Sequence, residues 1–335
     1  MPDRPKQPQT SHVVSGIAPI LGFAFLTAAL DVYGGSTVQD VSPQVLAAVS
    51  FSMTAAFFLT LQAVRVGLPA ALRPLRTHPY DVAAINVTTA VTWLSMLFAL
   101  KYLEPAVVSV VVVALGPILT ILMGPVLRRG SKALRAEVAA SLGVCVVLAV
   151  LVWESFTGRS AVGSLEPGHA VAGFLLTLAC GIGSTANIIY MKRLSEAGQT
   201  PQAVLAIRFF LMIAITWVLT ALSERPGVGA ALWPSLIVAV IGVGLPIYVL
   251  QIGIKHTEPI TTSLLISVSP LITLLLQLLD GRLTTSAVSW VCTVALIVLM
   301  SVGVVKRAQE DRRQEPSAPL PDGASLNPPE DTKTL

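Results

Sequence analysis

Ten apolar runs of about 20 residues each, separated by short polar breaks, dominate this sequence. A helix needs about 20 apolar residues to cross a bilayer core of about 30 Å. Apolar residues make up 54% of the chain and charged residues only 12%, whereas soluble domains carry roughly 25% charged residues. The sequence therefore predicts an all-α integral membrane protein with ten transmembrane helices.

Two short stretches in different halves of the chain resemble each other. Lys101 to Pro105 reads KYLEP, Lys255 to Pro259 reads KHTEP, and each leads into an apolar run with a serine followed by a proline. Equivalent positions lie 153 or 154 residues apart, and a second echo pairs residues 42–48 with residues 200–206 at a separation of 158. A repeat of this length indicates two fused copies of one module.

The two copies divide the chain into five predicted parts. We expect a disordered cytoplasmic tail (1–12), a first repeat (13–156), an external linker (157–168), a second repeat (169–305) and a disordered, charged cytoplasmic tail (306–335). The predicted spans of the first repeat run about 13–38, 43–66, 80–100, 105–126 and 134–156. Those of the second run about 169–190, 201–222, 231–254, 259–279 and 284–305. Span 2 then matches span 7, and span 4 matches span 9.

The positive charges predict the orientation, because loops rich in Lys and Arg stay in the cytoplasm. With the N-terminus inside, 17 of the 22 Lys and Arg residues fall on the cytoplasmic side and four outside. Both termini are thus predicted to be cytoplasmic in a multi-pass protein of the cell membrane. Because five spans is an odd number, the second repeat enters the membrane from the opposite side. Inverted repeats are a recurring transporter design, with the solute site near the midplane.

These features resemble the drug/metabolite transporter superfamily, in its EamA family. The resemblance is carried by the five-plus-five arrangement, the glycine-containing end of span 1, and Lys101, Ser109 and Pro117 with their echo at Lys255, Ser263 and Pro270. It covers about residues 18–305. It implies a central cavity lined mainly by spans 1, 3, 4, 6, 8 and 9.

The chain departs from the family pattern at two positions. The family often has Arg near the start of both span 2 and span 7, whereas here span 7 has Arg208 and the matching position in span 2 is Ser50. In span 1 the family's usual Trp before Gly is replaced by Tyr33 before Gly34, which keeps an aromatic ring and adds a hydroxyl.

Two prolines interrupt predicted spans. Pro117 and Pro270 each remove a backbone hydrogen bond inside a helix, and in a membrane the freed carbonyl needs a neighbour or cavity water. We expect a kink at both. Whether each kink is a hinge for opening and closing or a static bend that shapes the pocket is open.

Polar and aromatic side chains in the spans are candidates for the cavity wall. The larger ones could offer hydrogen bonds and an aromatic wall to an organic solute; they are Asn86, Trp93, Asn187, Tyr190, Tyr248 and Gln251. Ser109, Thr262, Ser263 and Ser267 fit equally well as cavity lining or as contacts between helices.

Ionisable groups at membrane depth are few, which makes them candidates by default; we single out Asp31 and Arg208. Asp31 could bind a substrate amine or carry a proton, or it could cap a frayed outer end of span 1 beside Gly34. Arg208 could attract a carboxylate, but we favour a side chain that snorkels to the cytoplasmic surface. Counting places Asp31 towards the outside and Arg208 towards the inside, so we expect no direct pair.

Other chemistries lack their motifs. There is no GxxxxGK[ST] for ATP, and the four histidines fall at the edges of segments with no metal-binding spacing. The three cysteines lie in predicted helices, where disulfides are not expected. We therefore predict no enzyme, no metal and no cofactor. We also predict no nucleic-acid partner, because cytoplasmic loops account for the net charge of +4.

The sequence thus predicts a secondary transporter, an exporter of a small organic metabolite, amino acid or drug, that works by alternating access of a central cavity. The alternative is a membrane-embedded lipid-modifying enzyme or a non-transporting partner of one. An enzyme would need paired carboxylates, histidines or a metal set at membrane depth, and the sequence lacks them. The expected partners are a small organic solute and the lipid bilayer, and the chain is compatible with a monomer or a homodimer.

Overall fold

The computed structural model describes the greater part of both repeats. The described residues are 10–103, 105, 107–115, 119, 139, 142–143, 146–147, 150, 153, 167–223, 227–257, 262, 265–266, 268–279 and 287–314. Within these ranges the chain is helical and contains no strand. Six of its helical stretches are long and apolar enough to cross a membrane, which makes it a multi-pass membrane protein.

Twelve α-helices and one π-helical segment make up the described elements. The helices of the first half are α1 (Thr10–Asp40), α2 (Pro43–Val66), α3 (Leu68–Ala71), α4 (Pro74–Thr77) and α5 (Pro79–Tyr102). Those of the second half are α6 (Pro167–Glu196), α7 (Pro201–Ile207), α8 (Phe210–Ala221), α9 (Val228–Ile237), α10 (Leu245–His256), α11 (Ser269–Gln277) and α12 (Ala287–Gln314). The π-helical segment Val238–Gly244 joins α9 to α10.

Three of the helices begin at a proline. Pro43, Pro79 and Pro201 each lie in the first turn of a helix, where a missing N–H costs no hydrogen bond. Gly67 ends α2 with φ of +82°, a conformation that favours glycine. Predicted spans 2 and 3 therefore coincide with α2 and α5 to within two residues, and the basic loop between them contains the short helices α3 and α4.

Two spans that we predicted as single helices are interrupted. Span 7 breaks at Arg208 and Phe209, between α7 and α8. Span 8 contains the π-helical segment Val238–Gly244 between α9 and α10. π-Helical segments are rare in proteins, and those that occur often lie at functional sites.

Helices of the first half pack on helices of the second half. α5 packs on α6, α1 packs on α10, and α2 packs on both α7 and α8. If span 1 matches span 6 and span 3 matches span 8, the first two contacts are the same contact made twice.

Close contacts at the helix ends repeat in the same way. A Cβ placed on Gly16 would lie 2.6 Å from Cγ2 of Thr257, and one on Gly173 would lie 2.7 Å from Cγ of Leu103. Leu103 and Thr257 are the third residues of the two repeated stretches. One contact joins the start of α1 to the end of α10, and the other joins the start of α6 to the end of α5.

Predicted spans 4, 5, 9 and 10 are described in part. Residues 107–115 of span 4 form a helix, span 9 contributes α11, and residues 287–305 of span 10 form the first part of α12, which continues to Gln314. Residues 306–314, which we predicted as part of a disordered tail, are therefore helical. Residues 1–9 and 315–335 of the tails, and most of the linker, lie outside the described residues.

Candidate functional site

A cavity of about 130 Å³ lies between the two halves. This is roughly ten times the space of about 10–15 Å³ that one water needs, so a small organic molecule fits. Seven of the predicted spans contribute to its wall. The lining residues are Phe23, Thr27, Asp31, Thr92, Trp93, Met96, Val108, Ser109, Val112, Val113, Cys180, Ser184, Thr185, Asn187, Ile188, Met191, Arg208, Ile247, Leu250, Ile266 and Ser269.

Residues at matching positions of the two predicted repeats both line this cavity. Phe23 and Cys180, Thr27 and Ser184, and Asp31 and Ile188 are lining pairs separated by 157 residues. Trp93 pairs with Ile247, and Met96 with Leu250, at a separation of 154. The wall thus uses equivalent places in α1 and α6 and in α5 and α10, but the residues at these places differ in chemistry.

Asp31 lies on the wall with only hydroxyl partners. Its side chain is 3% exposed, and its Oδ2 accepts a long hydrogen bond of 3.5 Å from Thr273 Oγ1. The same hydroxyl lies 3.5 Å from Ser109 Oγ. Because α1 continues to Asp40, Asp31 does not cap a frayed helix end. The structure instead presents a buried carboxylate where α1, residues 107–115 and α11 meet.

Arg208 lies on the wall near the break between α7 and α8, and it does not snorkel. The side chain is 2% exposed, which contradicts our expectation of a cytoplasmic position. Its Nη2 donates to Asn187 Oδ1 at 2.6 Å and to Thr89 Oγ1 at 3.2 Å. Nη1 donates to Met191 Sδ at 3.3 Å. As expected from the sequence, Arg208 and Asp31 form no ion pair.

Asn86 holds the helix open at Arg208. A continuous helix would have a hydrogen bond from the Leu211 N–H to the Ile207 carbonyl. Here Asn86 Nδ2 donates to the Ile207 carbonyl at 2.9 Å, and Asn86 Oδ1 accepts from the Leu211 N–H at 3.2 Å. Both freed backbone groups are therefore satisfied at membrane depth, as an apolar environment requires.

Four of the predicted site residues line the cavity: Asp31, Trp93, Ser109 and Asn187. Trp93 also packs edge-on against Phe51, with ring centroids 5.2 Å apart, which fixes its indole on the wall. Whether these four residues bind a solute remains a prediction.

Five other predicted residues are absent from the cavity wall. Asn86 bridges the helix break, and the Tyr33 ring packs half-buried on the core. Tyr190 lies with its hydroxyl 3.4 Å from that of Tyr80, near the end of α6. Tyr248 accepts a hydrogen bond from Gln202, and Gln251 donates to the Met191 carbonyl. The polar groups of Asn86, Tyr190, Tyr248 and Gln251 thus serve contacts between helices.

The remaining predicted residues concern spans 4 and 9. Ser263, Ser267 and Pro117 lie outside the described residues. Pro270 is described, and it lies in the first turn of α11, which begins at Ser269. The helix start at this proline fits a bend in span 9, and whether it acts as a hinge remains a prediction.

Sequence reasoning missed several wall residues. Ser184 and Thr185 follow Gly181 and Gly183 in a run of small residues, a pattern that marks close helix approach. A Cβ on Gly183 would lie 2.7 Å from Thr92 Oγ1, so α5 and α6 do approach closely there. This run of small residues is the sequence feature from which this part of the cavity wall could have been predicted.

The cavity lacks the groups of a metal centre. Among the described residues, no three His, Cys, Asp or Glu side chains are grouped so that they could hold a metal ion. The wall contains one carboxyl group, that of Asp31, and one guanidinium, that of Arg208. This arrangement suits reversible binding of a polar organic molecule.

The fold and the cavity define a class, that of helical multi-pass membrane proteins with a solute-sized cavity between their helices. Residues 171–305 match the model of the EamA-like transporter family. This match confirms the predicted resemblance and is consistent with the drug/metabolite transporter superfamily. Members of the EamA family are generally transporters.

A solved crystal structure shares the fold along nearly the whole chain. It matches with a TM-score of 0.62 and 20% sequence identity, and the match covers 90% of this chain and 99% of the other. No curated protein sequence matches this chain.

Proposed function

We propose that this protein is a secondary transporter that exports a small organic solute across the cell membrane by alternating access of the central cavity. The observation that carries the proposal is the cavity wall, to which both halves contribute residues at equivalent places in the sequence. A chamber at the seam of two similar halves is where repeat-built transporters bind their solutes.

We propose further that the halves are inverted repeats with both termini in the cytoplasm. The paired contacts of Gly16 with Thr257 and of Gly173 with Leu103 support this arrangement, because each joins the start of one helix to the end of another from the opposite half. With the predicted orientation, the first contact lies at the cytoplasmic end and the second at the outer end. Reporter tags that found the two termini on opposite sides of the membrane would contradict it.

The two ends of the α5 and α6 pair provide candidate gates. At the proposed cytoplasmic end, Arg193 forms an ion pair of 2.9 Å with Asp81. At the proposed outer end, the rings of Tyr102 and His169 stack with centroids 5.2 Å apart. Alternating access would separate one of these contacts while the other holds.

A flux measurement with a matched pair of variants tests the proposal. Purified protein in liposomes is loaded with a panel of radiolabelled amino acids, organic acids, amines and cationic dyes, and the loss of each is followed against empty liposomes. Ser184→Phe places a ring in the cavity, and we expect it to reduce flux at least about tenfold. Ile182→Phe is the control on the same helix, because Ile182 faces outward with 49% exposure, and it should retain flux.

Four results would contradict parts of this proposal. Flux of no solute from the panel, or equal flux in both variants, would remove the cavity as the pathway. Turnover of a lipid by the same liposomes without solute flux would favour an enzyme instead. Unchanged flux after replacement of both Pro117 and Pro270 by Ala would remove the hinge, while leaving the transporter in place.

A further inference from the structure

The positive charge of Arg208 is buried without an anionic partner. Its side chain is 2% exposed, and the partners of its Nη atoms are an amide, a hydroxyl and a thioether. Its Nε–H has no hydrogen-bond acceptor among the described residues. No carboxylate in the described part of the chain forms an ion pair with it. The site thus provides a cation and at least one unused donor.

A charge in this position is costly unless something else completes it. A guanidinium stays protonated in proteins, and burial of an ion without a counter-ion costs several kcal/mol. Neutral acceptors such as Asn187 Oδ1 recover only part of that cost. The Phe209 ring, 5.4 Å from Arg208 Cζ, also offsets part of it, and an anion from outside the chain would complete the site.

The cavity brings that anion within reach. Arg208 is one of the lining residues, and the surrounding wall is mostly apolar, with Trp93, Ile188 and Met191 among its members. A guanidinium is planar and its donors match the two oxygens of a carboxylate. The expected ligand therefore has a carboxylate at one end and an apolar body.

We propose that Arg208 binds the carboxylate of the transported solute, which is an organic monocarboxylate. That the ligand is transported rests on the proposed function, but the binding of its carboxylate by Arg208 does not. Asp31 lies on the same wall, and its carboxylate would repel a ligand with two negative charges. Plain carboxylates and amino-carboxylates share the required group, and in the second case Asp31 is placed to receive the amine.

Equilibrium binding to the purified protein in detergent tests the carboxylate directly. The probes are isocaproate and phenylacetate, each compared with its uncharged amide, together with leucine and phenylalanine as amino-carboxylates with similar bodies. We expect the wild type to bind at least one acid about tenfold or more tightly than its amide, as a charge-assisted hydrogen-bond pair would require. A preference for the amino-carboxylate would indicate that Asp31 takes part, and equal binding of the plain acid would indicate that Arg208 suffices.

Three variants separate the charge from its geometry. Arg208→Gln should abolish the preference for acid over amide, and Arg208→Lys should retain part of it, because Lys keeps the charge and loses the planar donor pair. Arg65→Gln is the control, since Arg65 is an exposed arginine at the end of α2, and it should bind like the wild type. If Arg208→Gln does not fold, the reduced preference of Arg208→Lys decides the question.

The results that would overturn the proposal differ from those that would overturn transport. Equal binding of acid and amide by the wild type, an undiminished preference in Arg208→Gln, or no binding of any probe would each remove the carboxylate site. Arg208-dependent binding without flux in liposomes would remove the transporter and leave the site. Flux of an uncharged solute by the wild type, together with equal binding of acid and amide, would do the reverse: it would remove the carboxylate site and leave the transporter.

Discussion

Spans 2 and 7 occupy equivalent places in the two halves, yet they are built differently at their matching residues. Ser50 and Phe51 lie within the unbroken helix α2, whereas Arg208 and Phe209 form the break between α7 and α8. The two phenylalanines meet, with ring centroids 5.3 Å apart. Ser50 donates to the Ser235 carbonyl at 3.0 Å, which ties α2 to α9. Arg208 instead reaches the cavity wall.

A pair of contacts between the halves differs in the same sense. Leu30 of α1 packs so closely on the π-helical segment of the second half that a Cβ on Gly242 would lie 2.5 Å from Leu30 Cδ1. The equivalent pair, 157 and 154 residues away, is Asn187 and Thr88, where the Asn187 amide donates to Thr88 Oγ1 at 3.1 Å. At equivalent places in the sequence, one contact between the halves is therefore apolar packing and the other is a polar network. The comparison teaches that equivalent places can carry different chemistry, because the cation Arg208 and its acceptor Asn187 lie in the second half where the first half has Ser50 and Leu30.

The largest effect should follow from making Asn187 resemble its counterpart. Asn187→Leu removes the 2.6 Å acceptor of Arg208, and a hydrogen bond to a charged group contributes about 1.5–3 kcal/mol. We expect the free energy of unfolding, measured by denaturant titration in detergent, to fall by about 2–3 kcal/mol. The variant leaves a buried cation poorly compensated, so the loss should come from Arg208.

A double variant tests whether this loss of stability comes from Arg208. Asn187→Leu combined with Arg208→Ser installs the residue pair of the first half, Leu30 and Ser50, and removes the cation. We expect it to be more stable than Asn187→Leu alone, with a coupling free energy of about 1–3 kcal/mol. Strictly additive losses would mean that the two sites do not share a network, and the comparison between the halves would fail.

Removal of Asn86 should have the next largest effect. Asn86→Leu leaves the Ile207 carbonyl and the Leu211 N–H without their partners, at about 1–3 kcal/mol for each unsatisfied group. Because the two freed groups can pair with each other if the helix closes, we expect the unfolding free energy to fall by about 2 kcal/mol. Thr216→Val is the control, because the Thr216 hydroxyl bonds only to carbonyls of its own helix. If both variants cost the same, the break at Arg208 does not depend on Asn86.

A smaller effect should come from the close approach of α5 and α6. A Cβ on Gly183 would lie 2.7 Å from Thr92 Oγ1 and 3.0 Å from the Thr92 backbone nitrogen, so Gly183→Ala should cost about 1–3 kcal/mol. Its counterpart in the first half is Leu26, 157 residues earlier. Gly22→Ala is the control, because nothing lies within 4 Å of a Cβ at Gly22. It should be neutral or gain up to about 1 kcal/mol, since alanine is the better helix former.

The sequence predicts the framework of the molecule better than its interruptions. α2 has the predicted bounds because a proline, an apolar run of membrane length and a glycine mark it locally. The break after Ile207 has no such mark, since neither proline nor glycine occurs between Ala203 and Ala221. It depends on Asn86, 121 residues away, and therefore on tertiary contact.

The candidate site was predictable to the same limited degree. Asp31, Trp93, Ser109 and Asn187 were found because polar and aromatic residues are uncommon in apolar spans. Gln251 gives the same signal but bonds to a backbone carbonyl between helices. A polar residue in a span shows that a partner is needed, and the packing of the other helices decides whether that partner is protein or solute. Simple counting along span 7 also missed the burial of Arg208 for this reason.

The smallest effect should come from the ion pair of Arg193 with Asp81, which is partly exposed to solvent. Arg193 pairs with Asp81 at 2.9 Å, with side chains that are 39% and 16% exposed, and it lies 5.5 Å from the centre of the Tyr190 ring. Ion pairs in contact with solvent contribute about 0–1 kcal/mol and are screened by salt. Asp81→Asn should therefore lower the unfolding free energy by less than about 1 kcal/mol, and the loss should shrink further when the denaturant titration is repeated at high salt. Because Arg208 is buried, the loss in Asn187→Leu should not depend on salt. Equal salt sensitivity of the two variants would mean that water and ions reach Arg208 in the resting protein, and its charge would then need no solute to complete it.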